Sequence, residues 1–191
     1  MTVRYLSRRR SMALALAAGA GWTLPALAQT DPWPALRQGG LLLFMRHANA
    51  PGIGDPANFA VDDCATQRNL SDRGREQAQA VGARLRSNGV QWRSVQSSRW
   101  CRCLDTARLA FGTVEPFELL DSSFAGRADR SSELRRHLLS LPRDGANRVY
   151  VTHMVNIARL LGVNTADAEM VVVRSDGDAF QPLATLQPPP V

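Results

Sequence analysis

Apolar positions along this chain follow two spacings. Leu41–Met45, in GLLLFMRH, is an unbroken apolar run, the pattern of a strand buried on both faces. NRVYVTH (147–153) and AEMVVVRS (168–175) share that character.

 The shorter pieces VQSS (95–98) and PFELL (116–120) complete the predicted core strands, and DGDAFQPLATLQ (176–187) reads as a turn and an edge strand. Between them the spacing changes to helical. LSDRGREQAQAVGARLRSNGV (70–90) has Ser71 as N-cap, Asp72 and Glu76 in its early turns, apolar Ala78, Val81, Ala83 and Leu85, and Asn88-Gly89 as its end. RWCRCLDTARLAFG (99–112) ends at Gly112, SELRRHLLSLP (132–142) at Pro142, and MVNIARLLG (154–162) is short. Residues 29–39 read as an arm and turn, and 48–69 and 121–131 as loops rich in Gly, Pro, Asn, Asp and Ser. Strands alternating with helices predict an α/β three-layer sandwich, with a mostly parallel sheet and helices on both faces. Ligands in such sheets sit beyond the carboxyl ends of the strands.

The first 28 residues have a different design. MTVRYLSRRR carries four arginines and no acid, an Ala- and Gly-rich apolar stretch follows, and Ala26-Leu27-Ala28 offers small residues before a cut at Gln29. That is the layout of a secretory signal peptide, with a domain over 29–191. The apolar stretch is interrupted by Gly19, Gly21 and Pro25 and is short for a membrane span. SRRRSMA also permits a twin-arginine reading. The expected location is periplasmic or secreted, by either export route, with no stable membrane anchor after cleavage.

Cleavage would leave 163 of the 191 residues, enough for one domain with a real core. The net charge would fall from +6 to +2, since all four charges lost are arginines. The mature chain therefore gives no argument for binding nucleic acid. Every basic residue is Arg, which coding bias explains as well as chemistry does. Cys64, Cys101 and Cys103 are an odd number for an oxidising compartment. Cys101 and Cys103 would point to different sides of one helix and so should not pair with each other. With only His47, His137 and His153 beside them, these cysteines do not form a recognisable zinc pattern.

Two predicted core strands end in the same way, one running into Arg46-His47 and the other into His153. Arg102 lies near the start of the helix that follows a third strand. In these pieces the sequence resembles the histidine phosphatase superfamily, the phosphoglycerate-mutase-like fold. Arg46-His47-Ala48 matches the family's Arg-His-Gly, and SSRWCRCLDTA (97–107) matches its S-S-x-x-x-R-[AC]-x-x-T-A. LSDRGREQA resembles its L-[ST]-x-x-G-x-x-Q-A helix, and VYVTHMVNI carries its second histidine. The pieces stand in family order from residue 41 to about 175.

The resemblance implies a role for each position. Arg46 and Arg102 would grip phosphate oxygens with forked hydrogen bonds. His47 would attack in line and form a phosphohistidine. His153, if protonated, would donate to an equatorial oxygen. No cofactor or metal is expected. By spacing, Asp121 takes the position of the family's general acid, with Asp129, Glu133, Asp62, Asp63 and Glu169 as competing donors. The chain departs from the pattern at Ala48 and Met154, where glycine usually follows each histidine, and at Ala50, where a threonine is usual. It resembles the small branches, phosphohistidine phosphatases and lipopolysaccharide core heptose phosphatases.

The expected function is an exported, metal-independent phosphohydrolase of the histidine acid phosphatase type, acting as phosphomonoesterase or phosphoramidase. Its expected partner is a phosphorylated substrate, such as an envelope sugar phosphate or a phosphoprotein. The alternative is a phosphate- or anion-binding pseudoenzyme of the same fold. Cys64 and Cys101 both flank the implied pocket, so a disulfide between them is expected, with Cys103 buried and reduced. Three unpaired thiols are the alternative.

Overall fold

The computed structural model describes residues 31–142 and 144–191. The expected signal peptide therefore lies outside the described residues. The elements are helix α1 (Trp33–Gln38), strand β1 (Leu41–Arg46), helix α2 (Asp72–Ser87), strand β2 (Ser94–Ser97), helix α3 (Cys101–Phe111) and strand β3 (Glu115–Pro116). Helix α4 (Ser131–Leu139), strand β4 (Arg148–Thr152), helix α5 (Met154–Leu161) and strands β5 (Met170–Asp176) and β6 (Ala179–Leu186) follow. The sheet order is β3-β2-β4-β1-β5-β6. The pairings from β3 to β1 are parallel, and β5 and β6 join antiparallel. The α/β sandwich with helices on both faces is thus the observed architecture.

Alternation along β1 explains the two layers. Leu41, Leu43 and Met45 pack with Leu36 of α1, Ala78, Val81 and Leu85 of α2 and Ala107 and Ala110 of α3. Leu42 and Phe44 point to the other face, against Leu134 and Leu138 of α4 and Ile157 of α5. Helices α2 and α3 approach closely because Gly82 has no side chain. A Cβ there would lie 1.9 Å from the Ala110 carbonyl oxygen.

Two expectations on secondary structure change. Residues 33–38 form a helix rather than an arm, with Pro34 in its first turn and Leu36 buried beneath it. PFELL is not a strand throughout. Only Glu115–Pro116 pairs, with Gln96 and Ser97, and Glu118–Leu120 turns into a short 3-10 helix that buries Leu120.

The disulfide joins Cys64 to Cys101, with Cα atoms 5.7 Å apart, and Cys103 is free and buried. It ties the loop after β1 to the first turn of α3. Burial pushes the Cys103 thiol up to about 12, so it is an inert core group.

Candidate active site

The site lies where three parallel strands end. Arg46 pairs with Thr152 across β1 and β4, and the His47 amide donates to the Thr152 carbonyl at 2.9 Å. His47 and His153 thus follow adjacent strand ends, with ring centroids 5.4 Å apart. On the other side of β4, the Ser98 amide donates to the Val151 carbonyl, and α3 then carries Arg102 inward. Strand β5 runs antiparallel, so its leading loop reaches the same edge and brings Thr165 and Asp167. These parts surround a cavity of about 540 Å³.

The residues shared with the family pattern hold the backbone after His47. The Ala48 amide donates to Thr106 Oγ1 at 3.0 Å, and the Asn49 amide to Gln77 Oε1 at 3.0 Å. Ser71 caps α2 by accepting from the Gly74 amide, and its own amide donates to the Asn49 carbonyl. Gly74 is required there, because a Cβ would lie 2.1 Å from that carbonyl oxygen.

The ring of His47 is oriented by its neighbour. Nδ1 lies 2.8 Å from the Ala48 carbonyl oxygen, which can only accept, so Nδ1 carries the proton. Nε2 is left with its lone pair. Burial, with the charges of Arg102, Arg46 and Arg68, pushes the His47 pKa down to about 3, although the Ala48 hydrogen bond opposes the shift. A neutral imidazole in this tautomer is a nucleophile. His153 is buried too, and burial together with His47 and the same arginines holds it well below the usual histidine range. Its Nε2 lies 2.9 Å from Ser98 Oγ. In the free protein it is therefore neutral, and the expected protonated form requires a negative charge in the cavity.

Among the described residues, four arginines line the cavity: Arg46, Arg68, Arg102 and Arg127. Arg46 donates to the Thr165 carbonyl at 2.8 Å and pairs with Asp167 at 2.8 Å. Arg102 is almost fully buried and pairs with Asp55 at 2.7 Å. Nε of both Arg46 and Arg102 is buried without a partner. Arg68 anchors the loop by donating to the carbonyls of Gly54 and Ala50. Burial disfavours the charge of Asp55, but hydrogen bonds from Arg102 and Trp100 outweigh it and hold the carboxyl below its usual value. Against four positive charges stand the two carboxylates Asp55 and Asp167, so the cavity suits an anion.

The cavity thus brings together Arg46, His47, Arg102 and His153 and leaves Asp121 out. Asp121 is held by Arg99, whose amide and Nε donate to it at 2.9 and 2.8 Å and whose Nη2 lies 2.5 Å away, and it also accepts from Ser98 Oγ, the hydroxyl beside His153, at 3.4 Å. Asp62, Asp63, Asp129 and Glu133 are exposed elsewhere. Glu169 is buried and accepts from the Ala166 amide. The carboxylates that do line the cavity, Asp55 and Asp167, were not singled out in the sequence, and neither were Asn49 and Arg68. Each lies in a loop without periodicity. The one usable signal was the Gly/Pro-rich setting of Asp55 directly after the first strand.

A family model described as histidine phosphatase superfamily (branch 1) matches residues 42–122. Over that stretch, less than half of its length, the chain is similar to that superfamily. Solved structures share the histidine phosphatase fold at low sequence identity. The protein histidine phosphatase SixA complexed with tungstate is 15% identical, with a TM-score of 0.59, covering 78% of this chain and 97% of its own. A phosphoserine phosphatase from Entamoeba histolytica is 14% identical, with a TM-score of 0.57, covering 76% and 95%. A mycobacterial glucosyl-3-phosphoglycerate phosphatase is 18% identical, with a TM-score of 0.52, covering 70% and 89%. No curated protein matches the chain in sequence. The match to this family model supports a phosphatase.

Proposed function

We propose that this protein is an exported phosphohydrolase that works through a phosphohistidine on His47, without a metal. The observation that carries this reading is the His47 ring, neutral and fixed by Ala48 with Nε2 free, in a cavity lined by arginines. Arg46 and Arg102 bind the phosphoryl oxygens. Nε2 attacks phosphorus as the bond to the leaving oxygen or nitrogen breaks, and the leaving group takes up a proton from solvent water. Water then attacks the phosphohistidine, releasing phosphate and restoring the imidazole. His153 takes a proton when the dianion enters and donates it to an equatorial oxygen. The N-terminal segment supports export to the periplasm or beyond.

Both cavity carboxylates are already engaged by arginines. This favours leaving groups that need little acid help, such as aryl esters and phosphoramidates. It also motivates the second reading, a binding pseudoenzyme. One experiment separates the two. The mature protein is incubated with p-nitrophenyl phosphate at mildly acidic pH, with and without a chelator, beside His47→Ala. Turnover that survives the chelator and is lost in His47→Ala is expected, with a phosphoprotein stable to alkali and labile to acid. Wild-type turnover by His47→Ala would refute the mechanism, and no turnover by either protein would favour the pseudoenzyme.

A further inference from the structure

Four large apolar side chains are exposed among the described residues: Ile53, Phe124, Met154 and Val191. Three of them, all but the last residue of the chain, line the cavity that holds His47. Exposed apolar surface gathered at one place marks a contact site. Here the surface comes from three separate segments. Ile53 is 92% exposed and stands between Gly52 and Gly54, whose φ values of 97° and 72° turn the chain around it. Phe124 comes from the loop before α4, and Met154 opens α5 directly after His153. The loops meet at the mouth: a Cβ on Gly54 would lie 3.9 Å from Phe124 Cε1. The apolar groups therefore form a collar around an opening rather than a flat face.

The cavity is also larger than a phosphoryl group needs. About 540 Å³ lies within the range of pockets that enclose a whole small molecule. Its floor, with the histidines and arginines, takes the anion.

We propose that Ile53, Phe124 and Met154 select substrates whose leaving group is apolar, an alkyl or aryl group carried on the phosphate. This rests on the reading that the cavity binds a phosphoryl group. A buried methylene contributes about 0.8 kcal/mol, or about fourfold in affinity.

The test uses n-alkylphosphonates, from methyl to pentyl, which carry the anion and resist hydrolysis. Their dissociation constants are measured by calorimetry at one pH for the mature wild-type protein and for Ile53→Ser, Phe124→Ser and Met154→Ser. Pentylphosphonate should bind roughly tenfold or more tighter than methylphosphonate, allowing for partial burial. That ratio should fall several-fold in the variants. Equal affinity along the series, or a ratio that none of the variants changes, would overturn the proposal while leaving the phosphoryl site intact. Failure of every phosphonate to bind, with no turnover of p-nitrophenyl phosphate, would overturn the underlying reading and this proposal with it.

Discussion

Replacing Asp55 with Asn tests how the arginine at the centre of the site is held. Asp55 accepts from Arg102 at 2.7 Å, from Trp100 Nε1 at 2.9 Å and from the Arg68 amide at 3.2 Å. Asparagine keeps the shape and one acceptor oxygen but removes the charge. Arg102, with a side chain only 3% exposed, is then a buried cation without a counter-ion. Breaking a buried pair in this way costs about 3 to 5 kcal/mol, and the lower end applies because the cavity admits water. Urea denaturation at neutral pH should show a loss of about 3 kcal/mol. Added phosphate should reverse part of it, since an anion that binds only the folded chain stabilises it by mass action. Asp55→Asn should also bind phosphate more tightly than the wild type, because the anion no longer competes with a carboxylate. A loss below about 1 kcal/mol would refute the buried-pair argument. Weaker phosphate binding would show that Asp55 positions Arg102 rather than neutralising it.

Acid should destabilise the fold through the histidines. His47 and His153 have folded pKa values below the unfolded value, so the unfolded chain binds more protons and stability falls as pH drops below about 6.5. For His47 the loss continues toward about 3, and His47→Gln should flatten the urea-derived stability profile across that window. Cys64→Ser should lower stability by roughly 3 kcal/mol by opening the 37-residue loop, read by denaturation without reductant. Asp121→Asn should leave the alkaline limb of the kcat profile in place, because its carboxylate is held by Arg99. A lost limb would return Asp121 to the role of general acid.

Most of the architecture was legible because the strands are short apolar runs with Arg46-His47 and His153 at their ends. The core alternation of β1 and the capping of α2 by Ser71 follow from side-chain direction and hydrogen-bond supply, which local sequence encodes. PFELL was misread because a short apolar run fits a strand or a buried turn equally well. Helix α1 was missed because it is six residues long, too short to show a period. In the site, spacing to Phe124 suggested Asp121, but spacing does not reveal that Arg99 competes for its carboxylate. Asp55 lies 47 positions from Arg102, and no local pattern links them.

The seam between β1 and β4 also has a consequence for how the protein matures. The two histidines are brought together by strands separated by about a hundred residues, and β1 is closed on its other side by β5, which comes later still. Contacts of such long range form slowly, since the intervening chain must first be ordered. The α2–α3 pair can assemble from near neighbours, but it contains neither histidine. Activity should therefore appear last during refolding, after helical signal has returned, which makes turnover a reporter of the completed sheet.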